Sequence, residues 1–423
     1  MPARLSVPSG TGTVAVLALG FGLVGIDRFL ISTLFPVIAR DLSLSYGDIG
    51  TITGALALAW GIAALFMGNL ADRIGRRRVL TVSLVVFSLL IGASGLATGL
   101  LGLIAVRVVM GFADGAYTPA SIAGTLAASP PNRRGLNIGI QQMMMPLFGL
   151  GLAPLLVAGV LRFMEWRFVF LLFVIPGLLL AFAVWRILAP DAVTAAGGAP
   201  DMSAAQPDGR ADAGKAPRGS LGDWKAVLSF SKVRAAALLM LCWLTCLVTT
   251  SAFMPNYLVD HLRLPLAQMS TVMSAIGLGA TVGTLLLPWA SDRWGRGRIM
   301  ALASVGTLVS LMLLMQAPAV AGQLFTDLFF VHFFNNALIT LTVGPVCTET
   351  VPGPLMATAS GLVIAVGELF GGGLAPVIVG HAAQRFGIEH VLWLPIAMVG
   401  IGIVLCLIIN DGSRRAELQP GRF

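Results

Sequence analysis

Asp27 and Arg28 stand side by side in the stretch GIDRFLISTLFP, near the middle of an apolar run from about Val14 to Ile38. Arg107 and Asp114 share a second apolar run, RVVMGFADGAYTPA, while Asp327 and Glu368 stand alone in two more. A charge at the centre of a membrane helix costs about 2.5 to 3.5 kcal/mol on insertion scales, so such residues are functional candidates by default. The chemistry open to them is narrow. A carboxyl can take up and release a proton, and a guanidinium can hold a carboxylate through two parallel hydrogen bonds. A site with both can pass the arginine between its own carboxylate and an anionic ligand, which links proton occupancy to anion occupancy. The competing reading is a network that only fixes helix packing. It is the weaker one, because a buried ion pair adds little net stability compared with apolar packing.

Helix geometry constrains the pairing. Adjacent residues on a helix point about 100° apart, so Asp27 and Arg28 cannot neutralise one another well and each needs a partner from another helix. Arg107 and Asp114 lie on one stripe but roughly 10 Å apart along the axis. Counting rise from the ends of the runs puts Asp27 and Arg107 at similar depth, with Asp114 nearer the cytoplasm. An Asp27–Arg107 pair is expected, with the partners of both Asp27 and Arg28 in the fourth run. Glu368, in VGELFGGG, is expected either as a second ionisable coupling site or as an acid satisfied by neighbouring backbone. Asp327 is expected near the external surface. Gln141, Gln142, Asn335 and Asn336 are candidate hydrogen-bonders to a ligand hydroxyl or carboxylate, against a helix-packing role. His332 reads as a packed polar residue.

The elements that must position these groups are membrane helices. The chain has 423 residues, 57% of them hydrophobic and only 11% charged, with a mean hydropathy of +0.89, which excludes a soluble globular class. Runs of about 20 apolar residues span a bilayer, and twelve occur near 13–38, 46–69, 79–97, 99–128, 135–160, 166–188, 233–257, 268–290, 299–317, 321–347, 356–382 and 389–410. The first is too long for a signal-peptide core and is read as retained. Cys242, Cys246, Cys347 and Cys406 all fall in or beside runs, so no disulfide framework is expected. No metal site or other cofactor is expected either. The net charge is +8, and most of the 27 Lys and Arg residues fall on the side of the two termini, which by the positive-inside rule places both in the cytoplasm. The basic excess is therefore a topology signal, and no nucleic acid partner is expected.

A tract rich in Ala, Gly, Pro and Asp interrupts the apolar pattern and reads as a linker. The expected organisation is a six-helix bundle over 1–188, a cytoplasmic linker over 189–232, a second six-helix bundle over 233–410 and a cytoplasmic tail over 411–423. The bundles repeat one another. GLAPLLVAG from Gly151 and GLAPVIVG from Gly373 are 222 residues apart, ADRIGRRR from Ala71 and SDRWGRGR from Ser291 are 220 apart, and Pro36 with Asp41 precedes Pro255 with Asp260 by 219. Two parallel six-helix repeats are the sequence sign of a secondary transporter with a midplane site between them.

The most specific local signal is GNLADRIGRRRVL, Gly68 to Leu80, in a short loop between two spans. It resembles the signature loop of the major facilitator superfamily, G-x-L-a-D-r-x-G-r-r/k, and PWASDRWGRGR repeats it with Pro288 in place of the first glycine. EWRFVF, from Glu165, is similar to the W-R-x-x-F signature that opens the sixth span of that family. The resemblance implies an all-α fold of twelve transmembrane helices in two pseudo-symmetric bundles. It also implies a gating loop formed by Gly68, Asp72, Arg73, Gly75 and Arg76, with Asp292, Arg293 and Arg296 in the second copy.

Within the superfamily, IDRFLISTLFPVI and RVVMGFADGAYTPA resemble the D-R-x-x-[LI]-S and R-x-x-x-G-x-x-E-G-x-x-x-P stretches of the anion:cation symporters, which include proton-coupled sugar-acid permeases. The resemblance implies Asp27 and Asp114 as proton carriers, Arg28 as the ligand of the substrate carboxylate and Arg107 as the organising cation. Asp114 departs from the pattern, which has Glu there. The expected function is uptake of a small organic anion with protons by alternating access, in a monomer spanning a bacterial inner membrane. The rivals are a proton-antiporting exporter, whose G-x-x-x-G-P-x-x-G-G pattern is missing from MPLFGLGLAPLLVAG, and a non-transporting receptor or scaffold. No cluster of nucleophile, base and orienting group points to an enzyme.

Overall fold

The computed structural model describes residues 10–130, 133–188, 221–343, 351 and 355–417, with side chains described outside 65–73, 221–223, 356–357 and 408–417. Among the described residues, twelve helices are long and apolar enough to cross a membrane. They are α1 (Gly10–Leu42), α2 (Tyr46–Ile74), α3 (Arg76–Gly95), α4 (Leu100–Ala128), α5 (Arg134–Val160) and α6 (Trp166–Ile187) in the first half. The second half holds α7 (Ser231–His261), α8 (Leu266–Trp294), α9 (Arg296–Gln316), α10 (Ala321–Leu341), α11 (Thr358–Phe386) and α12 (Trp393–Glu417). The stretch expected to be a linker, 189–232, holds a short helix, Leu221–Ser229, whose Val227 is buried against Val233 and Ala236 of α7. Its apolar residues escape water there, which the Ala-Gly-Pro composition of the preceding tract hides. Residues 189–220 and Cys347 lie outside those described. Cys242, Cys246 and Cys406 are free thiols.

The sequence repeat is also a packing repeat. In the first half α2 packs along α4 and α3 along α6; in the second, α8 packs along α10 and α9 along α12. The turns repeat as well. Gly75 and Gly295 join α2 to α3 and α8 to α9 at φ +95° and +91°, where a side chain would be strained. Ser43 and Arg263 turn the chain after α1 and α7 at φ +53° and +58°.

The halves meet along two equivalent lines, α2 against α11 and α8 against α5. Backbone touches backbone there: Gly54 lies on Gly373, and Gly277 on Gly151. Gly151 and Gly373 each sit in or beside a widened π turn, Leu147–Leu152 and Gly367–Leu374, just before Pro154 and Pro376. A proline offers no N–H to the carbonyl four residues back and crowds it, so the helix opens immediately upstream. The GLAP repeat thus marks the seam. At the face opposite the Gly75 turn, Tyr46 closes it further, its N–H donating to Gln384 Oε1 at 3.1 Å and its hydroxyl to Asp260 Oδ2 at 3.1 Å.

Candidate functional site

The charged cluster is carried by α1, and its neighbours are set by how close other helices can come. Gly25 lets α5 approach through the carbonyl of Met145, while Gly111 and Gly115 on α4 receive the backbone of α2 at Leu56 and Trp60. Asp27, Arg28, Arg107 and Asp114 are all buried as a result.

Asp27 and Arg28 do point to different helices. Arg107 Nη1 donates to the main-chain oxygen of Asp27 at 2.6 Å and lies 3.7 Å from its carboxylate Oδ1. The expected pair forms, with the tighter contact to the backbone. Asp114 is fully buried on the same helix as Arg107, and neither its carboxyl oxygens nor those of Asp27 have a hydrogen-bond partner among the described residues.

Arg28 departs from expectation. Its partner is not in α4 but in the other half: Nη1 donates to Glu368 Oε1 at 3.0 Å and Nη2 to Oε2 at 2.7 Å, a two-point fork across the seam. The turn of about 100° from Asp27 carries Arg28 toward α2 and α11. Trp60 of α2 lies under the guanidinium, 4.6 Å from its ring, and Phe29 is 5.6 Å away. Glu368 is correspondingly not satisfied by neighbouring backbone; it is the acid that meets Arg28. Gly372, one turn on, leaves the room, since a Cβ there would stand 2.7 Å from Glu368 Oε2 and 3.5 Å from Arg28 Nη2.

The amide candidates are less central. Gln141 Nε2 donates to Ser121 at 2.9 Å inside the first half, and Gln142 is half-buried beside it. Asn335 donates to the carbonyl of Trp243 at 3.1 Å and so ties α10 to α7 of its own bundle, while Asn336 donates to the carbonyl of His332, one turn back on α10, at 3.3 Å. His332 shares a 3.1 Å hydrogen bond with Thr250. Asp327, expected near the external surface, stands about two turns from the Ala321 end of α10 and is 8% exposed.

In the gating loop, Gly68, Asp72 and Arg73 fall on side chains outside those described. In the second copy Arg296 lies 3.8 Å from Asp292, and Arg293 covers Trp289 at 4.2 Å. Gly75 and Arg76 stand at the turn and at the first residue of α3.

Sequence reasoning missed three contributors. Trp60 and Gly372 serve the Arg28 fork only because distant segments meet, and nothing local announces them. The third is Asp260, which accepts from Tyr46 and from Asn256 (3.0 Å) and lies 3.6 Å from Arg40. The repeated Pro-x4-Asp spacing was its signal.

Known proteins agree with this architecture. The chain is 26% identical over 419 residues to the 3-(3-hydroxy-phenyl)propionate transporter of Escherichia coli, covering 98% of each chain. It is 26% identical over 377 residues to the gentisate transporter of Corynebacterium glutamicum, covering 88% of this chain and 81% of that one. The crystal structure of a bacterial homologue of the human lysosomal transporter Spinster, inward-facing, superposes with a TM-score of 0.79 at 17% identity, covering 95% of this chain and 97% of that one. The profile described as Major Facilitator Superfamily matches residues 17–369, so the chain belongs to that superfamily and is a multi-pass membrane transporter.

Proposed function

We propose that this transporter imports a small organic anion bearing a carboxylate, together with protons, by alternate opening of the two halves about the seam. The observation that carries the reading is the Arg28 fork: a buried guanidinium at the junction of the halves, already engaged with a carboxylate in the two-point geometry that a substrate carboxylate would use. The relatives named for hydroxyphenylpropionate and gentisate transport both carry carboxylates, which supports the same class.

In this reading Arg28 is the substrate ligand, and Asp27 and Asp114 carry protons. Neither acid has a hydrogen-bond donor aimed at its oxygens among the described residues. A proton on Asp27 removes the charge that Arg107 faces, and Arg107 then leans on the main-chain oxygen it already touches. With both termini in the cytoplasm of a bacterium, the face closed by Tyr46, Gln384 and Asp260 is the outer one of the inner membrane.

The test is uptake into proteoliposomes of gentisate, 3-(3-hydroxyphenyl)propionate and a sugar acid under an inward proton gradient. Accumulation that collapses when the gradient is dissipated is the expected result. Expulsion of a lipophilic cation with no anion accumulated would establish an exporter instead. Asp27→Asn should lose accumulation against a gradient while still letting the anion equilibrate downhill; Arg28→Ala should lose both. Equal loss in the two variants would refute separate proton and anion roles.

A further inference from the structure

A carrier that performs net transport must also cross between its two states with no substrate bound. For this protein that step carries a difficulty located at Arg28. Its side chain is 4% exposed, and a buried charge left without a partner is strongly unfavourable. The acids of its own half make no hydrogen bond to it: Asp27 is turned to Arg107, and the carboxyl of Asp114 has no hydrogen-bond partner among the described residues. The partner comes from the opposite half, as Glu368, whose two oxygens take both Nη atoms.

We propose that Glu368 is a tethered counter-anion, a stand-in for the substrate carboxylate that allows Arg28 to make the empty return, and so determines that the protein carries out net transport and not obligatory exchange. This rests on the carboxylate reading of Arg28 given above. The geometry makes the two anions mutually exclusive, because a substrate carboxylate needs the same two Nη donors that Glu368 holds. The pair is also built for this one contact. Trp60 supports the guanidinium plane at 4.6 Å, and Gly372 withholds the Cβ that would crowd Glu368. Arg107 needs no such help, since its neighbour Asp27 travels in the same half.

Removing the counter-anion therefore has a specific signature. With substrate bound on both crossings, Arg28 is paired throughout and Glu368 is dispensable. Without substrate on one crossing, it is not. In proteoliposomes loaded with radiolabelled gentisate, 3-(3-hydroxyphenyl)propionate or sulfoacetate, E368Q should keep exchange against the same external anion within about threefold of the wild type. Net efflux into anion-free buffer should fall about tenfold or more. E368D, which keeps the charge on a shorter arm, should retain most of the net flux. Gly372→Ala, which leaves the acid in place but crowds it, should lower net flux more than exchange. These two variants also carry the test if E368Q does not give a monodisperse protein. Parallel loss of exchange and net flux in E368Q and Gly372→Ala would overturn the proposal, as would unchanged net flux in E368Q. A wild type that exchanges none of the three anions would instead condemn the carboxylate reading, and this proposal with it. Asp27→Asn separates the roles, since it keeps downhill net flux where E368Q loses it.

Discussion

At the end of α1, Asp41 accepts hydrogen bonds from Arg167 at 2.6 Å and Trp166 at 3.2 Å, both from α6 of its own half. At the equivalent place on α7, Asp260 accepts from Tyr46 and lies near Arg40, both from the other half. The reason lies in a difference between the two copies. The positions matching Trp166 and Arg167 fall near Ile388 and Glu389, which cannot satisfy an aspartate. Within its own half Asp260 keeps only the contact from Asn256 on the same helix among the described residues, and its other partners come across the seam. The membrane interior repeats the lesson. The first half keeps Asp27, Arg107 and Asp114 to itself, the second has Leu247, Leu328 and Asn335 at about the same places, and its buried Glu368 reaches over to Arg28. The two halves share a symmetric frame, and their unequal charges turn part of it into contacts between them.

Several substitutions would break or sharpen that contrast. The largest effect should come from Arg107→Ala, which removes the cation that faces buried Asp27 within a single half. Breaking such a pair costs about 3–5 kcal/mol, read as a fall in thermal stability of the purified protein together with lost transport. If stability is unchanged, the first half does not depend on its internal charges. Next, Gly25→Val forces a side chain into the carbonyl of Met145 within the first half and should destabilise by about 1–3 kcal/mol. Gly277→Val meets Gly151 across the seam and should leave each half folded while blocking transport. Spin-label distances across the two faces would show the halves held apart. A stability loss as large as that of Gly25→Val would argue that the seam is core and not a moving contact.

A smaller and deliberately equal effect is expected at the repeated turns. Gly75→Ala and Gly295→Ala both place a side chain at positive φ and should each cost about 1–2 kcal/mol. A marked inequality in their melting temperatures would show that the frame itself is asymmetric. The smallest effect belongs to the surface acids, where screened pairs contribute little. Asp41→Asn should lower thermal stability slightly and leave turnover alone, whereas Asp260→Asn should leave stability alone and change the rate of opening, measured by stopped-flow fluorescence. The reverse pattern would undo the comparison.

Much of this was legible from one strand of letters because the bilayer is a strict solvent. Backbone groups must be satisfied within each segment, so apolar runs of sufficient length become helices, and the twelve expected spans are the twelve observed. The duplicated motifs at Gly151 and Gly373 and at Gly75 and Gly295 marked the repeat, and the structure shows them as matched seam contacts and matched turns. Asp27 and Arg28 could be told apart as groups with different partners from helix geometry alone. The partner of Arg28 could not be found that way, since 340 residues separate it from Glu368 and depth along an axis says nothing about rotation around it.

The sequence by itself determined which residues enter the membrane, where the chain turns, that the halves are copies, and that a few costly charges are kept at the centre. Those properties follow from local hydropathy, glycine and proline backbone preferences and short-range spacing. Only the tertiary structure decided which charge meets which. Whether Glu368 serves its own helix or Arg28 depends on how Gly54 seats on Gly373, how Gly372 clears space and which face of α1 the seam presents. Those are facts about packing between segments far apart in the chain.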